Sequence, residues 1–261
     1  MLTVQVYLPA LADLASAEVH GAIARNIVAL VALHLQLCTA FNALDAEIGW
    51  RSLGSSGEST AAEDAKVIAA AERVADIYVD LAPEFTVYEA FCASHVDAAS
   101  DLRTLANSLG STDWLAFENR CVDAAAGGGE DRDRLHLSDF LIKPVQRVVR
   151  YALLFAPLAR ALPAASSARA AVERADVAYK AVARRVDAAR HERELDRRTV
   201  LVAKRIELPT AAQPAFLAFL GQLQLLGALQ VVHIPPSSIL SAQAETRVRY
   251  YGVVLCASSR C

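Results

Sequence analysis

The sequence predicts an all-α bundle that gives way near its C-terminus to a partial β module. Three observations carry that reading. Alanine supplies about a fifth of the 261 residues while glycine (11) and proline (9) are few, and alanine loses least of any residue on entering a helix. Apolar residues recur at steps of three and four over several long runs, the repeat of one helix face. Beyond Leu208 the texture changes to glycine, glutamine and β-branched residues in strand-length runs.

Taken in order, the first secure helix begins near Ile23, with Ile27, Leu30, Val31, His34, Leu37, Cys38, Phe41, Leu44 and Ile48 on one face, and stops at Gly49. GWRSLGSSGEST then reads as a surface loop. A second long pattern runs from Ala61 to Leu105, and Pro83 is expected to kink it, because proline removes a backbone donor and crowds the preceding turn. Ser111 or Thr112 can cap a short helix through Trp114, Phe117 and Cys121, which AGGGEDRDR ends as an exposed loop. Two further helices are predicted over Leu137 to about Leu162 and Ser167 to about Arg205, parted by Pro163. LLGALQVVHI and TRVRYYGVVLCA read as strands flanking a PPSS turn. The chain shows no internal repeat.

Composition and motifs exclude several function classes. A net charge of −3 lacks the basic excess of a dedicated nucleic-acid binder, so no nucleic-acid partner is expected. Five dispersed cysteines without a CxxC indicate neither a disulfide framework nor a zinc site, and fit a reducing compartment. The first residues carry no basic n-region and no cleavage site of a secretory signal. The uncharged run from Leu208 to Ile234 contains Pro214, Gly221 and several glutamines, which argue against a membrane span. There is no GxSxG, HExxH or phosphate loop, and no catalytic residue, metal site or cofactor is expected. His34 and His136 lack partners at metal or triad spacing and read as structural. The stretch Arg184 to Arg205 holds eight basic and four acidic residues, read first as a solvated helix face with internal ion pairs.

Residues Leu135 to Leu154, LHLSDFLIKPVQRVVRYALL, resemble the most diagnostic segment of the Dbl homology domain, the helical exchange domain of Rho-family guanine-nucleotide exchange factors. NIVALVALHLQL and VYEAFCASHVDAASDL are similar to two further helices of that family. Read from its own spacing, the helix has two faces. Phe140, Leu141, Val145, Val148, Val149, Ala152 and Phe155 are assigned to the core, and Lys143, Gln146, Arg147, Arg150 and Leu154 to an adjoining polar stripe with one apolar knob.

The resemblance implies an elongated Dbl homology helical bundle over 1–206 and a truncated pleckstrin homology-like segment over 207–261, with exposed strand edges. It implies that Gln146, Arg150 and Leu154, with Lys143 beside them, contact the switch regions of a nucleotide-free Rho-family GTPase. Two positions depart from the family pattern. Val4 stands where TVQVY should carry a glutamate that bonds the first switch, and Asp187 stands where an asparagine amide is expected; valine accepts no hydrogen bond, and a carboxylate donates none. The implied function is promotion of GDP release, in weakened form, without covalent chemistry. The alternative is an exchange-inactive scaffold or interaction module. The cytoplasm is the expected location, with weak contact to an anionic membrane. Met1 lies only three residues before Val4, and beside the family pattern this reads as an incorrectly chosen start or splice boundary.

Overall fold

The computed structural model describes residues 3–49, 61–126, 136–205, 221–233 and 247–256. Their contacts divide the chain into two compact units, Met1–Arg190 and His191–Cys261. In the first, a π turn over Thr3–Tyr7 runs into α1 (Leu8–Ala12), followed by α2 (Ala17–Ala24) and α3 (Ile27–Ile48). Ser16 caps α2 by accepting a hydrogen bond from the Val19 amide at 3.3 Å. Gly49 ends α3 in the left-handed conformation (φ 66°), which lacks a steric penalty only for glycine. The loop reading for GWRSLGSSGEST lies outside the described residues beyond Gly49.

The second apolar pattern forms three helices rather than one bent rod. α4 (Ala61–Leu81) ends one residue before a 3₁₀ segment, Ala82–Thr86, that contains Pro83. α5 (Val87–Ala93) follows, and a break at Ser94, whose hydroxyl bonds the Ala90 carbonyl at 2.9 Å, precedes α6 (His95–Leu109). The kink expected at proline is therefore present, and serine adds a second. α7 (Ser111–Ala126) starts at Ser111 itself. Gly110, at φ 84°, supplies the boundary in place of the expected Ser or Thr cap, and its carbonyl accepts from Trp114. The AGGGEDRDR loop lies outside the described residues.

α8 (Leu137–Ala161) and α9 (Ser167–Ala203) match their predicted spans within a few residues. The His136 amide donates to Asp139 Oδ2 at 2.9 Å, and the His136 ring lies 3.0 Å from Glu118 of α7. The centre of the bundle is an aromatic cluster: Tyr78, Phe85, Tyr88, Tyr151, Phe155 and Tyr179, with ring centroids 4.8 to 5.8 Å apart. Those rings come from α4, the 3₁₀ segment, α5, α8 and α9, so one packed knot fixes the position of α8. Such edge-to-face and offset pairs add about 0.5 to 1.5 kcal/mol each beyond their buried area.

The core face of α8 is Leu137, Leu141, Val148, Tyr151, Phe155 and Ala159. Two sequence assignments need correction. Val149 is 46% exposed, because it lies about 100° round the helix from buried Val148, and the core position at this level belongs to Tyr151. Ala152 is only half-buried. Phe140 and Val145 are partly buried against the core, as their spacing requires.

Ala17–Ile48 is long and apolar enough to cross a membrane. It spans α2 and α3, and Ile23, Ile27, Leu30, Leu33 and Leu37 from it are buried in the same core cluster as α8 and α9. In the second unit, β1 (Leu223–His233) pairs antiparallel with β2 (Arg247–Cys256), in a register that sets Leu226 opposite Val254 and His233 opposite Arg247. The Leu223 amide donates to the Thr199 hydroxyl at 2.7 Å, and Gln222 donates to Asp196 at 2.8 Å. The described part of the uncharged Leu208–Ile234 run is thus strand, and the PPSS turn lies outside the described residues.

Candidate functional site

The exposed side of α8 carries the polar stripe read from the sequence: Lys143, Gln146, Arg147, Arg150 and Leu154 are all exposed, Leu154 by 56%. They differ in how they are held. Arg147 Nε donates to the Tyr151 hydroxyl at 2.7 Å, and the Lys143 ammonium sits 4.9 Å from the Phe140 ring centre. Gln146 and Arg150 have no hydrogen bond or ion pair among the described residues. A free amide and a free guanidinium, one helical turn apart and flanked by an exposed leucine, suit binding to a partner carrying acidic and apolar groups.

The two departures from the family pattern take different places. Val4 is half-buried and packs against the core. It belongs to the π turn that meets α8, where the Tyr7 and Phe140 rings are 5.4 Å apart. Asp187 is exposed on α9, next to buried Val186, and no hydrogen bond or ion pair among the described residues joins it to the α8 stripe.

Beside the stripe runs a groove of about 340 Å³ between α3 and α8. Val31, His34, Leu35 and Cys38 form one wall, and Lys143 and Arg147 form part of the other. At its floor His34 Nε2 and the Tyr88 hydroxyl share a hydrogen bond of 2.6 Å. Burial, and next the charge of Arg147, lower the His34 pKa to about 4, so its ring is neutral at pH 7 and structural, as the sequence reading held. Burial raises the Tyr88 hydroxyl well above the ordinary tyrosine range.

Sequence reasoning missed two features of this surface. Leu153 is 70% exposed, more than Leu154, although the Leu-Leu pair already signalled that one of the two must turn away from the core. Of the groove wall on α3, Val31, His34 and Cys38 were assigned to the core face and Leu35 to no face. The signal was the width of its apolar arc, because Val31, Leu35 and Cys38 extend it beyond what one contact face needs.

The profile of the RhoGEF domain family matches residues 1–187. Pleckstrin homology domain-containing family G member 2 of Mus musculus is 30% identical over 146 residues, which are 55% of this chain and 10% of that protein. The Homo sapiens protein of the same name is 29% identical over 170 residues, 64% of this chain and 11% of that protein. The chain thus spans about a tenth of the length of these relatives. Among solved structures, autoinhibited Vav1 matches with a TM-score of 0.65 at 22% identity, covering 100% of this chain and 42% of the other. The DH/PH domains of PDZ-RhoGEF, in a complex with activated RhoA, match with a TM-score of 0.64 at 15% identity, covering 98% and 66%. These likenesses establish the fold, and since the family profile spans well over half the sequence, the chain belongs to the RhoGEF domain family.

Proposed function

We propose that this chain promotes GDP release from a Rho-family GTPase through the exposed stripe of α8. The observation that carries the reading is Gln146 and Arg150, solvent-facing and free of internal partners, within the family's most diagnostic segment. No covalent step is needed. A protein that binds the nucleotide-free GTPase more tightly than the nucleotide-bound form must, by thermodynamic reciprocity, weaken the grip on nucleotide by the same factor. Gln146 and Arg150 hold the second switch in a form that disfavours magnesium and phosphate, while Leu153 and Leu154 pack against it. The complex of PDZ-RhoGEF with RhoA supports this class of partner.

Val4 and Asp187 favour a weakened exchanger. They are also the observations behind the second reading, a scaffold that binds a GTPase without accelerating exchange: valine at position 4 contributes packing rather than an acceptor, and Asp187 offers no amide. We further propose that the module extends over 1–206, that 207–261, which holds the paired strands β1 and β2, is the opening of a pleckstrin homology-like segment, and that the protein works in the cytoplasm with peripheral membrane contact.

The test is release of a fluorescent GDP analogue from a panel of Rho-family GTPases by the whole chain and by Arg150→Glu. The charge reversal is expected to weaken binding to the nucleotide-free GTPase by at least about tenfold, about 1.4 kcal/mol, with helicity unchanged. Binding that is strong and sensitive to Arg150→Glu, with no faster release from any GTPase, selects the scaffold. Binding indifferent to Arg150 removes α8 from the interface.

A further inference from the structure

We propose that a second site, a cavity between α6, α8 and the α2–α3 junction, binds a phosphate group carried by a small soluble phosphomonoester or by a lipid headgroup. The cavity has a volume of about 230 Å³, and its polar lining is Arg25, His95, Arg103 and Ser138, with Leu102 and Leu141 among its apolar walls. Among the described residues no carboxylate lines it. The volume exceeds that of a lone phosphate ion and leaves room for the carbon atoms that carry it.

Each basic group here has hydrogen-bonding capacity to spare. Arg25 sits at φ 53°, the one non-glycine residue of positive φ among the described residues, and its guanidinium lies 3.6 Å from the Phe91 ring centre. Three of its five N–H groups donate to the carbonyls of Ile23, Phe91 and Leu141 at 3.4, 2.7 and 3.5 Å, which leaves two. Buried charges are ordinarily paired with an opposite charge, and none of the contacts to Arg25 is with a carboxylate. Burial pulls its pKa down to about 10. His95 Nδ1 is buried with no partner among the described residues. Burial, then the charges of Arg25 and Arg190, lower the His95 pKa, so every charge that moves it is positive. Arg103 is exposed and makes no ion pair among the described residues.

These groups converge from four elements: Arg25 from the α2–α3 junction, His95 and Arg103 from α6, Ser138 from α8, and Arg190 acting on His95 from α9. His95 and Ser138 also stand in the first turns of the 15-residue α6 and the 25-residue α8, whose partial positive ends add to the field in a minor way. Positive charge without an internal counter-charge calls for an external anion. A phosphomonoester offers about two negative charges and three acceptor oxygens, a fuller match to two guanidiniums and an imidazole than the single charge of a carboxylate. Ser138, Leu141 and Ile142 lie about 140° round α8 from the centre of the Lys143–Arg150 stripe, at 100° per residue. The site is therefore separate from the exchange surface and does not depend on the function proposed above.

The test titrates the whole chain with inorganic phosphate by calorimetry. In parallel it is sedimented with phosphatidylcholine vesicles with and without phosphatidylinositol 4-phosphate. Binding is expected to at least one probe, to weaken by at least about tenfold in Arg103→Ala and in His95→Gln, and to move the NMR titration midpoint of His95 upward. Arg103 is exposed, so its replacement leaves the fold intact, and circular dichroism verifies this. A response to phosphate in solution identifies a soluble ester as the ligand class, and a response to the charged vesicles alone identifies a headgroup. No binding of phosphate up to about 10 mM together with no vesicle binding overturns the proposal, as does binding unchanged in Arg103→Ala or, where phosphate binds in solution, a His95 midpoint that it leaves unmoved.

Discussion

Gln146 and Arg150 differ from Lys143 and Arg147 in what holds them, and that difference assigns their work. The Tyr151 hydroxyl fixes Arg147 at the edge of the groove, so part of its donor capacity is already used inside the protein. Arg150 keeps all five donors for a partner. Val4 illustrates the limit of reading a single residue from a motif. TVQVY places Thr3 and Tyr7 at family spacing and puts Val4 where the glutamate is expected, but the sequence could not say which way Val4 turns, because a five-residue π turn leaves no long periodicity to orient it. In the structure it is half-buried against the core. Val4→Glu is therefore expected to lower stability by about 1 to 2 kcal/mol, the cost of partly burying a carboxylate without a partner. Urea unfolding measures it. Unchanged stability with faster GDP release would instead mean that the new carboxylate reaches the GTPase.

At the scale of the helix, α8 is defined by a contrast between neighbours. Leu141 is 3% exposed and Val149 46% exposed, although both are apolar and both looked like core in the sequence. Leu141→Ala is expected to cost about 2 to 4 kcal/mol, through lost transfer energy and a cavity that closes only in part. Val149→Ala should cost less than about 0.5 kcal/mol, as at a surface site. Denaturant midpoints of the two variants, compared at equal slope, check the rotation of the helix. The existence and length of α3, α8 and α9 were legible because each presents many turns of periodic pattern. Rotation was legible only where large and small residues break the symmetry of the arc. A Val148–Val149 pair does not, and Tyr151 was passed over because its polar tip masks a ring that packs in the core. The boundary at Ser94 was equally hidden, since no proline or glycine marks it.

For the whole molecule, acid is the informative perturbation. His34, with a folded pKa near 4, binds fewer protons in the native state than in the unfolded chain, where its pKa is about 6.5. Its contribution to stability is complete above pH 6.5 and is lost as pH falls towards 4, and His95, also lowered, acts in the same direction. For His34 the loss is about 1 to 2 kcal/mol once solvent screening of a partly exposed ring is allowed for. Urea midpoints between pH 7 and 4 measure the slope, and His34→Gln should flatten it. None of this was legible in the sequence, where His34 was read as structural, His95 was not singled out, and nothing shows what buries either ring. The fold class, by contrast, was legible throughout, because helix-period runs extend to the end of α9 and strand-length runs follow Leu208. The aromatic knot also has an optical meaning. Four tyrosines and two phenylalanines sit in fixed, asymmetric contact at the centre of the bundle, Trp114 lies against Phe117, and the α8 stripe from Lys143 to Arg150 contains no aromatic side chain. Near-ultraviolet dichroism, which persists only while such packing is fixed, therefore reads the interior, and a partner that docks on the stripe enters that signal through Arg147, the one stripe residue bonded to the knot, at the Tyr151 hydroxyl.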